Sequence, residues 1–190
     1  MAQFLAQVAI ISRRPVNMKL VAVANLISRK RFSSHPDHHY NLTLTWLGET
    51  KNTPTTDFKS YTRELRIEFP EKQPLTISAD PAFLGDKTLQ NPEESLMVAV
   101  AGCHALSYLS LCARNGIVVT SYVDRPTGVM QYIKDGYQFT QAVLNPRITI
   151  SSGDSQRAKE LHKDAHHNCF IARSVNFPIS TNAEIIVQKK

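Results

Sequence analysis

The chain has 190 residues, 42% hydrophobic and 20% charged, which suits one globular domain with a sizeable core and excludes a disordered chain. Its formal charge is +6, but Arg13, Arg14, Lys19, Arg29, Lys30 and Arg31 all precede the first acid, Asp37. Of 22 basic residues those six leave 16 against 16 acidic ones, so the remainder is neutral, and no basic helix interleaved with aromatics points to nucleic acid.

Residues 1–37 read as a separate N-terminal extension, and 38–190 as the folded domain. The extension bears arginines and apolar runs such as 20–24, which fits a mitochondrial presequence. The plainer alternatives are an unstructured extension or a truer start at Met18. A cytoplasmic location is expected, with the mitochondrial matrix as the alternative if the extension is a transit peptide.

Residues 40–46 alternate apolar and polar side chains and predict a strand; 48–56 is a polar loop. Residues 58–69 alternate again, with Tyr61, Arg63, Leu65, Ile67 and Phe69 on one face. Arg63 therefore falls on an apolar face, whereas Arg66 lies among acids. Residues 75–77 form another short strand, and 79–90 a loop. Asn91 is placed to cap a helix, with Pro92 at its first position and Glu93 and Glu94 in its first turn. Asn115-Gly116 ends it. Strands follow near 117–124, 128–133, 137–144 and 147–151, then an amphipathic helix over 156–168 and a closing strand over 179–188. The order predicts an α+β fold with helices packed on mostly antiparallel sheets. The uncharged stretch 95–113 is just long enough to span a bilayer, but its polar residues and the amphipathic strands around it predict a buried core helix instead.

Of three cysteines, Cys103 and Cys112 lie nine residues apart on one predicted helix, roughly 13 Å along its axis. A disulfide needs Cα atoms within about 7 Å, so any intrachain bridge includes Cys169. Cys112 reads as inert core. A buried cysteine is usually packing; chemistry requires the thiolate, and Cys103 lies too deep in its helix for the dipole to supply it. A cation is needed, and Arg63 is the candidate. Glu93 is the candidate anion for that arginine. Glu93 and Cys103 are ten residues apart, roughly 15 Å along the helix. One helix hardly aims both at one site, which hints at a two-fold dimer.

Asn91-Pro92-Glu93-Glu94 followed by Cys103, with Ala165-His166-His167-Asn168-Cys169 later and Tyr61-Thr62-Arg63 some thirty residues upstream, resembles the OsmC/Ohr family over residues 40–190. The family's names stand for osmotically inducible protein C and organic hydroperoxide resistance protein. The resemblance implies an intertwined α+β homodimer acting as a thiol-dependent peroxidase on organic hydroperoxides. By it, Cys103 is the peroxidatic cysteine and Cys169 the resolving one. Arg63 stabilises the thiolate and Glu93 holds Arg63. It implies no metal or organic cofactor, no nucleic acid and no membrane, but an external thiol reductant, a dihydrolipoyl group in the Ohr branch. Here Cys103 is followed by His104, and Cys169 by Phe170-Ile171 rather than proline-tyrosine, which marks a separate OsmC-like branch. Two rival readings use other residues or no chemistry at all. His162 and His166, one helical turn apart, have a zinc-binding spacing; and the same fold would serve a non-catalytic protein that binds an apolar ligand.

Overall fold

The computed structural model describes residues 35–189. The expected presequence over 1–37 lies almost wholly outside the described residues. The compact unit spans Asn41–Lys190.

Among the described residues nine strands form three sheets of three. The first holds β1 (Thr43–Trp46), β2 (Leu65–Glu68) and β3 (Leu75–Ile77), all antiparallel. The chain then enters α1 (Pro92–Arg114) and continues through β4 (Val118–Val123), β5 (Thr127–Ile133), β6 (Gly136–Leu144) and β7 (Arg147–Ser152). Helix α2 (Ser155–Asn168) follows, and then β8 (Ile179–Thr181) and β9 (Glu184–Val187). The second sheet has the order β4-β7-β9 and the third β5-β6-β8. Among the strand pairs of the described residues, β6–β8 and β7–β9 are parallel and the rest antiparallel. The fold is the expected α+β arrangement.

Helix α1 begins on a capping box. The Asn91 side chain accepts from the Glu94 N–H at 2.7 Å, and the Glu94 carboxylate accepts from the Asn91 N–H at 3.1 Å. It ends as the Asn-Gly pair predicts. Gly116 has φ +67°, which favours glycine, and the N–H of Ile117 reaches back to the Cys112 carbonyl at 3.0 Å. Within α1, Val100, His104, Tyr108 and Cys112 are buried, one per turn. Tyr108 and Cys112 form one core cluster with Ala158, Leu161 and Ala165 of α2 and with Ile148 and Ile150 of β7.

Two expectations are corrected. The helix is not buried on every side: Val98 is 64% exposed and Leu106 71%. One α2 and one sheet cover only one stripe of a cylinder, so an apolar helix keeps bare flanks in a single chain. The closing strand is also not one strand. At Asn145-Pro146 the chain passes from β6 in one sheet to β7 in another, and the returning chain copies that step. Asn182 N–H donates to the Leu144 carbonyl at 2.8 Å and Glu184 N–H to that of Pro146 at 2.9 Å, splitting the run into β8 and β9. A smaller difference lies upstream, where 58–64 is irregular. Asp57 takes the Lys59 N–H at 2.8 Å, and this local side-chain acceptor competes with strand pairing.

The first sheet shows the expected alternation. Leu44 pairs with Ile67 and Trp46 with Leu65, giving one apolar face, and Leu44 on it is 52% exposed. Together with the bare flank of α1, this leaves large apolar surfaces unpartnered within the chain.

Removing the Asn91 side chain strips an N–H partner from the first turn of α1. Asn91→Ala is expected to cost about 1 kcal/mol of stability, measured as a shift in the urea unfolding midpoint at constant slope.

Candidate functional site

The seam between α1 and α2 brings two cysteines together. Cys103 lies midway along α1, half-buried, and Cys169 is the residue that closes α2, 1% exposed. The chain turns sharply there. The Cys169 N–H donates to the His166 carbonyl at 3.3 Å, and the Ala172 N–H donates to the Cys169 sulfur, also at 3.3 Å. Both thiols are free, and the two are near enough for Cys103 to act on the Cys169 thiol. Burial pushes the Cys169 thiol up to about 11, and the nearby Cys103 adds to the effect while the Ala172 N–H opposes it. Cys169 is therefore a neutral thiol at neutral pH, beside the half-exposed Cys103.

One residue beyond Cys103, a second polar contact clips the same two helices. His104 Nε2 and His162 Nδ1 are 3.0 Å apart, with the rings nearly parallel. The His162 ring stacks in turn on Tyr108 at 4.0 Å between centroids. Burial lowers both histidines to about 4, with neighbouring His166 adding to the effect at His104, and His104 adding to it at His162. Both are neutral at pH 7, and one ring N–H donates to the other. His104 is thus a packed, hydrogen-bonded histidine. Sequence reasoning did not single out His162 as its partner. The available signal was that 158, 161, 162 and 165 share one face of α2, so His162 had to be buried and had to find a partner.

Arg63 and Glu93 lie elsewhere in the single chain. The Arg63 guanidinium donates to the carbonyls of Tyr61, at 2.6 Å, and Phe58, and lies 3.9 Å from the centre of the Tyr61 ring. It borders a small cavity with Trp46, Ser78 and Pro92. Glu93 is half-buried, and its Oε2 is fully covered without a hydrogen-bond partner. Among the described residues no ion pair joins it to Arg63. Glu93 opens instead on a cavity of about 660 Å³, lined among others by Met97, Ala101, Met130, Phe139 and Gly102, the chain neighbour of Cys103. Gly128 keeps this cavity compact, because a Cβ there would lie 2.7 Å from the Met97 sulfur. A single chain therefore assembles the thiol pair but leaves Arg63, Glu93 and the thiols as separate pieces.

The zinc spacing of His162 and His166 leads to no site. His162 is turned inward to His104, His166 is exposed, and among the described residues no group of three or more His, Cys, Asp or Glu is placed to hold a metal ion.

Residues 85–184 match the family described as OsmC-like protein. The fold is similar to that of an OsmC-like protein of unknown function from Vibrio cholerae, with 28% identity and a TM-score of 0.67 over 78% of this chain and 100% of that one. An organic hydroperoxide resistance protein from Elizabethkingia anophelis is 11% identical, with a TM-score of 0.57 over 80% of this chain and 99% of that one, a likeness of fold alone. In sequence, the uncharacterized protein YmaD of Bacillus subtilis is 22% identical over 80% of this chain and 96% of its own length.

The histidine pair predicts acid sensitivity. An unfolded chain takes up these protons near 6.5, whereas the folded pair resists them until about 4. Stability is therefore full above pH 6.5 and falls as pH drops between those values, by about 1 kcal/mol per pH unit for each histidine. Urea midpoints at pH 7 and pH 5 check this, and the double variant His104→Leu/His162→Leu is expected to show a flatter profile.

Proposed function

The chain belongs to the OsmC-like protein family, and from that premise we propose that it is a thiol-dependent peroxidase reducing organic hydroperoxides in oxidative-stress defence. The observation that carries the proposal is the nearness of Cys103 and Cys169 across the α1–α2 seam. A neutral thiol beside a half-exposed one is the arrangement that a two-cysteine cycle requires.

In this reading the Cys103 thiolate attacks the distal oxygen of the hydroperoxide. The O–O bond breaks, the alkoxide takes a proton and leaves as an alcohol, and Cys103 becomes a sulfenic acid. The Cys169 sulfur then attacks the sulfenic sulfur. Its proton leaves with the hydroxyl as water, and the Cys103–Cys169 disulfide forms. An external thiol reductant, of the dihydrolipoyl or another class, restores both thiols. The burial that keeps Cys169 protonated preserves it for this second step.

Arg63 is assigned as the cation that holds the Cys103 thiolate and orients the peroxide, and Glu93 as the anion that holds Arg63. The covered, unpartnered Glu93 oxygen supports the second assignment, because such a carboxylate oxygen is costly until a donor meets it. A homodimer brings these pieces together. Its support is the apolar surface left bare on α1 and on the first sheet, which a second copy would cover. The cavity that Gly102 helps line receives the alkyl group of the peroxide, since its walls are largely apolar. That same cavity favours one other reading, a non-catalytic protein that binds an apolar ligand on the same fold.

One equivalent of cumene hydroperoxide added to the reduced protein is expected to give a Cys103–Cys169 disulfide by mass spectrometry. Cys169→Ser should stop at a sulfenic acid on Cys103, and Cys103→Ser should lose turnover by more than about a thousandfold. Both thiols staying free while the peroxide persists would remove the peroxidase and leave the ligand-binding reading. Alkyl hydroperoxides are expected to turn over faster than hydrogen peroxide in a direct rate comparison; the reverse order would count against the apolar cavity as substrate site.

A further inference from the structure

A second groove lies along α1 on the C-terminal side of Cys103, with neither cysteine in its lining. It has a volume of about 360 Å³, within the range of small-molecule sites, and runs between the C-terminal half of α1 and the turn that follows Cys169. Ser107, Ser110 and Arg114 form one wall; Asn168, Phe170 and Arg173 form the other. On α1, Cys103, Ser107, Ser110 and Arg114 recur three or four residues apart, so the groove continues the stripe on which the Cys103 sulfur lies. The opposite wall is tied to the second cysteine. The Arg173 N–H donates to the Cys169 carbonyl at 3.2 Å, and Asn168 and Phe170 flank Cys169 in the chain.

The charge of this groove is one-sided. Among the described residues no carboxylate lines it, and neither Arg114 nor Arg173 takes part in an ion pair. The ends of α1 and α2 bring partial negative charge, roughly half an elementary charge each, which two full guanidinium charges outweigh. Two serine hydroxyls and the Asn168 amide add uncharged donors. Phe170, 77% exposed, supplies an apolar surface at the rim. Cys103 and Arg114 are eleven residues apart, roughly 16 Å along the axis, and an arginine leaning back toward the helix N-terminus shortens that to about 10 Å.

We propose that this groove is the docking site for the reductant, and that it takes a small carboxylate-bearing thiol about the length of a tripeptide, with its carboxylates on Arg114 and Arg173 and its sulfur at the cysteine pair. The inference rests on the two-cysteine cycle above and adds the class of electron donor. The thiol loses its proton and attacks the half-exposed Cys103 sulfur of the bridge. The S–S bond breaks, Cys169 leaves and takes up a proton, and a mixed disulfide remains on Cys103. A second molecule of the thiol attacks that mixed disulfide, giving the small-molecule disulfide and free Cys103. Two thiols are oxidised for each protein bridge reduced.

The test begins with a bridge made by diamide, so that it does not depend on peroxide turnover. Its reduction is timed with glutathione and with glutathione diethyl ester at equal thiolate concentration, and with uncharged dithiothreitol as the reference reductant. Glutathione is expected to be about five- to tenfold faster than its diester, relative to that reference, with the preference shrinking as salt is raised. In Arg114→Gln/Arg173→Gln the preference should vanish; if that variant fails to fold, the salt dependence of the unaltered protein decides. Equal rates for acid and ester, or a preference that salt does not change, would overturn the groove while leaving the peroxidase reading in place. A bridge that diamide does not form would also overturn it, whereas inertness to cumene hydroperoxide with the charge preference intact would sink the peroxidase reading alone.

Discussion

The packing of α1 on α2 is the contact from which the rest of this protein follows. Three side chains, one per turn of α1, enter the seam: His104, Tyr108 and Cys112. Small residues on α2, Ala158 and Ala165, let the helices approach, and Leu161 fills the space between them. The seam fixes the rotation of α1 about its axis. With His104 turned inward, Cys103 must lie one step around, at the edge of the seam, half in contact with solvent. The same packing brings the end of α2 beside it, and with it Cys169.

A buried polar pair inside an apolar seam is costly unless it is satisfied, and the His104–His162 bond satisfies it only in part, since the His162 Nε2 is covered without a partner. Two neutral imidazoles share this single hydrogen bond and add no net charge. The bond also restricts sliding between the helices, because a shift of one residue breaks it. The helix register that sets the two cysteines is thus held in part by a hydrogen bond next door. Stacking on Tyr108 extends that ordering deeper into the core.

What lies outside the seam is less complete. The first sheet turns an apolar face outward, α1 keeps Val98, Leu106 and Leu109 bare, and a covered Glu93 oxygen has no donor. Arg63 meanwhile satisfies itself on two backbone carbonyls and an aromatic ring of its own loop. An arginine that holds only backbone oxygens and a π face keeps its full charge without a counter-ion, so it can exchange these contacts for a carboxylate. The bare surfaces and the unmatched charges share one explanation in the proposed homodimer.

Local chemistry made much of this legible. Asn91, Pro92 and Glu94 specify where α1 starts, and Asn115-Gly116 where it stops, because caps act within four residues of themselves. Alternation specified β1 and β2 and the outward side of Arg66. The break between β8 and β9 was not legible, since it is imposed by hydrogen bonds to a distant corner at 144–146. Nor was the exposure of α1: composition says that a helix is apolar all round, but only the number of elements packed on it says how much is covered. The sequence by itself determined the element types, the two helices and the requirement that any intrachain bridge include Cys169, for all of these rest on short-range propensity or helical rise. Only the tertiary structure decided that Cys103 is the cysteine beside Cys169, that His162 faces His104, and that Arg63 and Glu93 lie apart in one chain. These depend on how two helices rotate against each other, and residues near in space but far in sequence leave no periodic trace.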